Sequence, residues 1–190
     1  VDTGGRDLRA LSTNGVCVLL SEAQTDLTGP RRVHTSRLVR AVTGRDGLQA
    51  VARFDAVFDP GFERLVIHGI RVIPDLREGD IVDTSFSVTG EQPSLNGAFS
   101  WWFVLQWATR VVETTCRVIA PAQRRFLIRR FGGAAQPQIT DRDGARVYAW
   151  TLRDAEPYEP EPFAPAWSAG YQAVEIGDAM TWSAVSDLFR

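Results

Sequence analysis

The sequence contains no lysine, only two cysteines and no long apolar run. All 21 basic residues are arginine, a composition that indicates a GC-rich genome rather than a functional choice. Without a run of about 18 apolar residues, no membrane-spanning helix is predicted. The formal net charge of −2 disfavours a nucleic-acid partner recognised by charge alone. The single pair of cysteines, Cys17 and Cys116, does not indicate whether the protein resides in an oxidising or a reducing compartment.

The amino terminus lacks the features of a targeting segment. Residues 1–5 have neither a basic head nor an apolar core, so no signal peptide is predicted within this chain. The chain starts at Val1 rather than at Met, and we therefore expect a mature form or a fragment. At 190 residues, 44% apolar and 23% charged, the chain is long enough to fold as one globular domain without disulfides.

Short β-branched and aromatic runs, separated by turn residues, dominate the chain. Turn signals such as Asp59-Pro60-Gly61 and Arg142-Asp143-Gly144 recur about every ten residues. This spacing is typical of a β-sandwich or barrel, and we predict an all-β fold, an antiparallel β-sandwich with a short C-terminal helix. The predicted strands cover residues 16–23, 37–43, 48–58, 64–73, 80–88, 99–107, 110–120, 124–131 and 145–152.

Residues 99–107 alternate between an aromatic face and a mixed face. Phe99, Trp101, Phe103, Leu105 and Trp107 share the first face, which predicts core packing for these side chains. Trp102 lies on the mixed face. A tryptophan that escapes the core can stack on a sugar ring, so we predict Trp102 as a candidate binding residue.

The last 36 residues differ from the rest of the chain. The stretch 155–167, AEPYEPEPFAPAW, contains four prolines and three glutamates, which predicts a stiff, extended strap across the outside of the sandwich or a solvated edge loop. Residues 178–189 show helical spacing, with Thr181 or Asp178 as the cap. We therefore predict a β-sandwich over 1–154 and, over 155–190, a strap and helix that lead toward a downstream domain absent from this chain.

No catalytic centre is predicted. Cys17 and Cys116 lie in the middle of strands, away from the helix starts and sharp turns that activate a thiol, so both are interpreted as buried structural cysteines. His34 and His68 are interpreted as sheet-surface or hydrogen-bonded core residues. An enzyme would require Cys116 and a histidine to meet in space.

Metal and cofactor sites are not predicted either. A structural zinc site brings its ligands as close pairs, whereas these two cysteines and two histidines are scattered along the chain. Asp80 and Asp83 do not have the spacing of a calcium loop. Gly132-Gly133 is an isolated turn rather than a phosphate-binding loop.

Five segments carry a recognisable pattern when taken in order: GVCVLLSEAQTDLTGPRRVHTSRLVRAVTGRDGLQ, FDPGFERLVIHGIRV, PDLREGDIVDTSFSVTGEQP, RVIAP and the closing YAWTLRDAEPYEPEPFAPAWSAGYQAVEIGDAMTWSAV. They resemble the bacterial domain of unknown function 3857, which precedes transglutaminase-like cysteine-peptidase domains. The first segment is similar to the family's opening hairpins, and the second to its aspartate-proline strand entry. The likeness covers nearly the whole chain.

The resemblance implies a β-sandwich without catalytic residues, because the family's catalytic Cys, His and Asp belong to the domain that follows. It implies a non-catalytic accessory domain that positions or shields that domain, or binds its protein or cell-wall substrate. It also implies a periplasmic or cell-envelope location. The alternative is a stand-alone carbohydrate- or peptide-binding module that uses Trp102.

One feature departs from the family pattern. Members usually carry a further segment, with an extra strand or two, between the residues that correspond to Val72 and Pro74. Here Ile73 alone separates them. Either this member is trimmed or residues are missing from the chain, so the number of strands stays open.

Overall fold

The computed structural model describes residues 5–70, 75–159, 163 and 170–187. This part of the chain forms ten β-strands and two short α-helices. The strands are β1 (Val16–Asp26), β2 (Val33–Val42), β3 (Glu63–Ile70), β4 (Ile81–Gly90), β5 (Ser100–Val104), β6 (Val111–Pro121), β7 (Phe126–Phe131), β8 (Gln138–Arg142), β9 (Ala145–Ala155) and β10 (Ala173–Asp178). The helices are α1 (Gly47–Ala52) and α2 (Trp182–Asp187). None of the helices described is long and apolar enough to cross a membrane.

The strands form two sheets of unequal width. Sheet A has seven strands in the order β3-β4-β2-β1-β6-β9-β8, and sheet B has three in the order β5-β10-β7. The all-β sandwich prediction is confirmed. The antiparallel prediction is wrong for sheet A, because β1 and β6 pair in parallel. The chain leaves sheet A after β4, forms β5 in sheet B and returns as β6, and such a crossover allows parallel neighbours.

The main core lies between the two sheets. Phe99, Phe103 and Ile176 from the sheet B side pack against Cys116 and Trp150 of sheet A. Side chains of this core come from β1, β6 and β9 of sheet A, so sheet B covers only the middle and one side of the wider sheet. The inner face of β2, β4 and β3 extends beyond that cover.

The predicted strand over 48–58 is wrong, because its first part is helix α1. Val51 is buried against Val42 and Val82, with Leu48 at its side, which is the three-residue spacing of a helix. The helix starts at Gly47, where an added Cβ would lie 2.0 Å from the Gly15 carbonyl oxygen. A side chain at this position is therefore excluded, and the chain turns tightly onto the end of β1.

Two strands were not predicted from the sequence. All five residues of β8 are exposed, so this strand carries no apolar alternation. β10 follows the proline-rich stretch and is the central strand of sheet B, between β5 and β7.

The predicted strand over 99–107 is shorter in the structure and ends at Val104. The alternation therefore does not reach Trp107, which is 41% exposed instead of packing in the core.

The C-terminal helix is confirmed over Trp182–Asp187 and begins after Thr181, whose carbonyl accepts a hydrogen bond from Val185 N–H. Asp178 does not cap it. Asp178 ends β10 and accepts hydrogen bonds from Phe99 N–H and the Arg124 side chain. Of the strap predicted over residues 155–167, residues 160–162 and 164–167 lie outside the described residues. The question raised at Ile73 falls on residues 71–74, which also lie outside them.

Candidate functional site

A cleft opens where sheet B leaves the inner face of sheet A uncovered. Its volume is about 870 Å³, within the size range of ligand sites in proteins. The floor carries residues of β2 and β4, including His34, Ser36, Phe86 and Val88. The start of β5 forms one wall through Ser100 and Trp101. The loop over residues 57–62 forms the opposite wall.

His34 is the central polar residue of the floor. Its Nδ1 lies 3.0 Å from Thr25 Oγ1, and its Nε2 lies 3.3 Å from Ser36 Oγ. The imidazole packs against the Trp101 ring, with 4.5 Å between the ring centroids. Both ring nitrogens therefore have hydroxyl partners, which agrees with the prediction of a hydrogen-bonded histidine.

Burial lowers the pKa of His34 from its ordinary value of 6.5 to about 4. The Arg32 guanidinium lowers this pKa further, and Glu63 opposes the shift. At neutral pH the imidazole is consequently uncharged. It presents one N–H donor and one acceptor nitrogen instead of a cation.

Arg32 and Glu63 form an ion pair at the rim of the cleft. The guanidinium nitrogen lies 3.2 Å from the carboxylate, and the two side chains are only 12% and 15% exposed. The Arg32 guanidinium also lies 5.4 Å from the centroid of the Trp101 ring. The second oxygen of Glu63 accepts a hydrogen bond from Asp59 N–H, which ties the loop wall to the ion pair. Because the two charges neutralise each other, the ion pair itself adds no net charge to the cleft.

The loop wall presents apolar side chains to solvent. Val57 is 94% exposed, and Phe58 is exposed as well. Phe54, just before the wall, packs edge-to-face on Phe86, with ring centroids 5.4 Å apart. The cleft therefore has apolar side chains on its floor and on both walls. Its charged groups are the Arg32–Glu63 pair and Asp59, and its uncharged polar groups are His34, Ser36, Gln92 and Ser100.

Trp102, the binding residue predicted from the sequence, lies outside this cleft. It is on the outer face of sheet B, 38% exposed, with its ring 4.6 Å from that of Phe131. The ion pair between Arg129 and Glu175 lies on the same face, opposite Trp102 in the strand register. The neighbouring Trp101 lines the cleft instead. Alternation along β5 placed Trp101 on the inner face, but it does not tell how far the opposing sheet extends.

The two cysteines are free and buried, which confirms the prediction that their side chains are buried. Cys116 lies in the core between the sheets, where burial raises the pKa of its thiol to about 12. Cys17 belongs to a separate cluster with Leu19 and Val39, and burial raises its thiol pKa too. Cys116 and His34 lie on strands separated by β1, and thus two strand spacings, roughly 9–10 Å, apart.

His68 lies on the opposite face of sheet A from the cleft. Its Nε2 is 2.7 Å from Ser87 Oγ, which in turn is 2.8 Å from Thr35 Oγ1. The described residues contain no group of three or more His, Cys, Asp or Glu side chains arranged to hold a metal ion.

Together these features define a class: a β-sandwich domain with an apolar cleft beside the free edge of its smaller sheet. Residues 72–159, just under half of the chain, match the family DUF3857, described as a domain of unknown function with a solved structure. This match supports the family that the sequence resemblance predicted. The match runs from β4 to β9. No curated protein sequence matches the chain.

Matching solved structures include a crystal structure at 2.00 Å resolution of a "putative protease" from Parabacteroides distasonis ATCC 8503. The TM-score is 0.75 at 14% sequence identity, so the likeness shows the fold. It covers 88% of this chain but only 41% of the other one. The chain therefore spans about two fifths of the length of that longer protein.

Proposed function

We propose that this chain is a non-catalytic accessory domain of a longer protein of the peptidase class, with a transglutaminase-like catalytic domain downstream. The observation that carries the proposal is the match of 88% of this chain to 41% of a longer protein named as a putative protease. The accessory domain would position or shield the catalytic domain, or bind its protein or cell-wall substrate. The family resemblance supports the transglutaminase-like partner and a periplasmic or cell-envelope location.

The chemistry of the two thiols supports a non-catalytic role. A cysteine nucleophile reacts as the thiolate and needs a base within hydrogen-bond reach. With a pKa of about 12, the thiol of Cys116 is protonated at neutral pH. Its strand is also separated from that of His34 by β1.

We expect purified 1–190 to show no hydrolysis or acyl transfer with fluorogenic peptide substrates, because its thiols are buried and protonated. The Cys116→Ala variant, assayed in parallel and checked for folding by circular dichroism, should give the same background rate. Activity in 1–190 that disappears in Cys116→Ala would overturn the non-catalytic role.

The coding sequence beyond the codon for Arg190 tests whether a catalytic domain follows in the same polypeptide. We expect an open frame of more than about a hundred codons that encodes a cysteine at a helix start, then a histidine and an aspartate. A stop codon directly after Arg190 would overturn the accessory role in cis.

A stand-alone carbohydrate-binding module is the second candidate, favoured by the exposed Trp102 on the outer face of sheet B. Its ring is backed by Phe131 and flanked by Arg129 and Glu175, an aromatic platform with polar neighbours. In this case, tryptophan fluorescence titrated with soluble glycans should shift, and the shift should vanish in Trp102→Ala. A flat titration counts against this function.

A further inference from the structure

We propose that the cleft binds an extended polypeptide segment, which joins sheet B as a fourth strand along the free edge of β5. The segment carries uncharged, apolar side chains at alternate positions. This inference deepens the proposed function, on which it rests, because it names the class of substrate that the accessory domain would hold for its peptidase.

Among the described residues, β5 pairs with another strand only on the edge that faces β10. The alternate residues Phe99 and Leu105 exchange hydrogen bonds with the β10 side: Phe99 C=O accepts from Asp178 N–H at 2.8 Å, and Leu105 N–H donates to Gln172 C=O at 2.9 Å. The peptide groups of the intervening residues therefore point the other way, as in any antiparallel ladder. They belong to Ser100, Trp102 and Val104.

These outward peptide groups have no backbone partner in the part of the chain that the structure describes. Three consecutive outward positions, each with an N–H donor and a C=O acceptor, form a template for another strand. Peptide recognition by strand addition uses an edge of this kind for affinity and adjacent pockets for side-chain selection.

The space beside the outer edge of β5 has room for a fourth strand of sheet B. Sheet A has seven strands and sheet B three, so the inner face of β2 and β4 lies open where a fourth strand of sheet B would run. Neighbouring strands are about 4.8 Å apart, and packed sheets are about 10 Å apart. The cleft of about 870 Å³ occupies this position, with Ser100 and Trp101 on its wall.

The floor of the cleft favours apolar side chains on the added strand. Every second side chain of an added strand would point at Phe86, Val88 and the neutral His34. The charges nearest to them, Arg32 and Glu63, already form an ion pair with each other. The lining also carries the Asp59 carboxylate, which accepts a hydrogen bond from Gly61 N–H. An acidic peptide side chain would therefore lose its hydration here without gaining a free counter-ion, whereas an apolar side chain would gain by burial.

The surroundings of Trp101 argue against a sugar as the occupant of the cleft. Stacking of a sugar requires an open ring face. The Trp101 ring is in contact with the His34 imidazole at 4.5 Å and lies beneath the Arg32 guanidinium at 5.4 Å. An extended backbone needs only the strand edge and the floor, and both are accessible from the open side.

The probe for the test is the acetylated and amidated peptide Lys-Thr-Val-Thr-Phe-Thr-Lys, labelled with fluorescein and titrated with purified 1–190 by fluorescence anisotropy. We expect saturable binding. A peptide with glutamate in place of valine and phenylalanine should bind at least about tenfold more weakly, because two charges would be buried without partners.

Two backbone-methylated peptides then test the strand addition itself. One carries N-methyl groups on its threonines, and the other on its valine and phenylalanine. In an antiparallel ladder the threonine N–H groups face β5, and in a parallel ladder those of valine and phenylalanine do. Binding should therefore fall about tenfold or more for one methylated peptide only. Equal affinities of the two methylated peptides would overturn the proposal.

Variants of the protein provide the matching evidence. Ser100→Pro removes one outward N–H donor from the first residue of β5, where a sheet tolerates proline, and should weaken binding about tenfold. Leu127→Ser, on the outer face of sheet B, is the control and should bind as the wild type does. If Ser100→Pro fails to fold, the two methylated peptides still decide the question.

The outcomes also separate this inference from the proposed function. A protein that binds none of the peptides overturns the peptide-binding cleft and leaves the non-catalytic role intact. A protein that cleaves the probe overturns the proposed function. Self-association of 1–190 in analytical ultracentrifugation that Ser100→Pro abolishes would identify a second copy of the chain as the occupant and overturn the peptide as ligand.

Discussion

Replacing Ile176 by alanine is expected to lower the free energy of unfolding by about 4 kcal/mol. Ile176 is fully buried on β10, the central strand of sheet B, and pairs in register with Trp101 on one side and Ile128 on the other. The substitution removes three carbons from the core between the sheets and leaves a cavity that its neighbours on two sheets cannot readily fill. Urea unfolding of both proteins, followed by circular dichroism, measures the difference.

The matched control is Leu127→Ala on the neighbouring strand β7. Leu127 is 62% exposed on the outer face of the same sheet, so its truncation should change the unfolding free energy by less than about 0.5 kcal/mol. Similar losses for Ile176→Ala and Leu127→Ala would contradict the packing of sheet B on sheet A. The pair therefore tests the strand whose existence the sequence did not reveal.

Acidification is expected to destabilise the protein through His34. The unfolded chain binds the proton near the ordinary pKa of 6.5, whereas the folded protein binds it only near 4. The unfolded state therefore takes up the proton first as the pH falls. The contribution of His34 to the free energy of unfolding is therefore fully present above about pH 6.5, and it is lost progressively as the pH falls to about 4. The loss over this window should reach roughly 3 kcal/mol, from a shift of this size at 1.36 kcal/mol per pH unit.

Urea unfolding at a series of pH values between 4 and 7 measures this contribution. His34→Gln keeps a side chain that can bond to Thr25 and Ser36 but cannot titrate, so the slope over this window should become shallow. Leu127→Ala, a substitution of an exposed, non-titrating side chain on sheet B, is the control and should keep the wild-type slope. The same pH dependence in wild type and His34→Gln would show that His34 is not the group responsible.

The strands that the sequence predicted correctly are those with strong local patterns. β4 and β6 are short apolar runs between turn residues, and the structure places strands there with slightly shifted ends. The region of α1 was misassigned because a run of apolar residues fits a strand and a helical turn equally well. Packing of Val51 against Val42 and Val82 resolves that ambiguity, and Val82 is distant in sequence.

β8 and β10 were missed for different reasons. β8 is exposed throughout, so no apolar alternation marks it. β10 is short and follows the proline-rich stretch, and it is a strand because β5 and β7 pair with its two edges. Strand formation at such a site is decided by partners far away in the chain, which local propensity does not describe.

The cleft was not predicted for the same reason. Trp101, His34 and Arg32 were each visible in the sequence, but their meeting depends on β5 crossing to the second sheet and covering only part of the first. The neutral state of His34 follows from the burial that this arrangement produces. The only signal of the cleft in the sequence was His34, with Ser36 two residues after it and Arg32 two residues before it.

The sequence by itself determined the all-β class, the buried thiols, the C-terminal helix and the outward position of Trp102. These properties follow from the period of two along a strand and from local turn chemistry, which act over a few residues. Only the tertiary structure decided the parallel pairing of β1 with β6, the central strand β10 and the open edge of β5 above His34. Each of these depends on which distant strands meet, and the crossover between the sheets decides that for the whole chain.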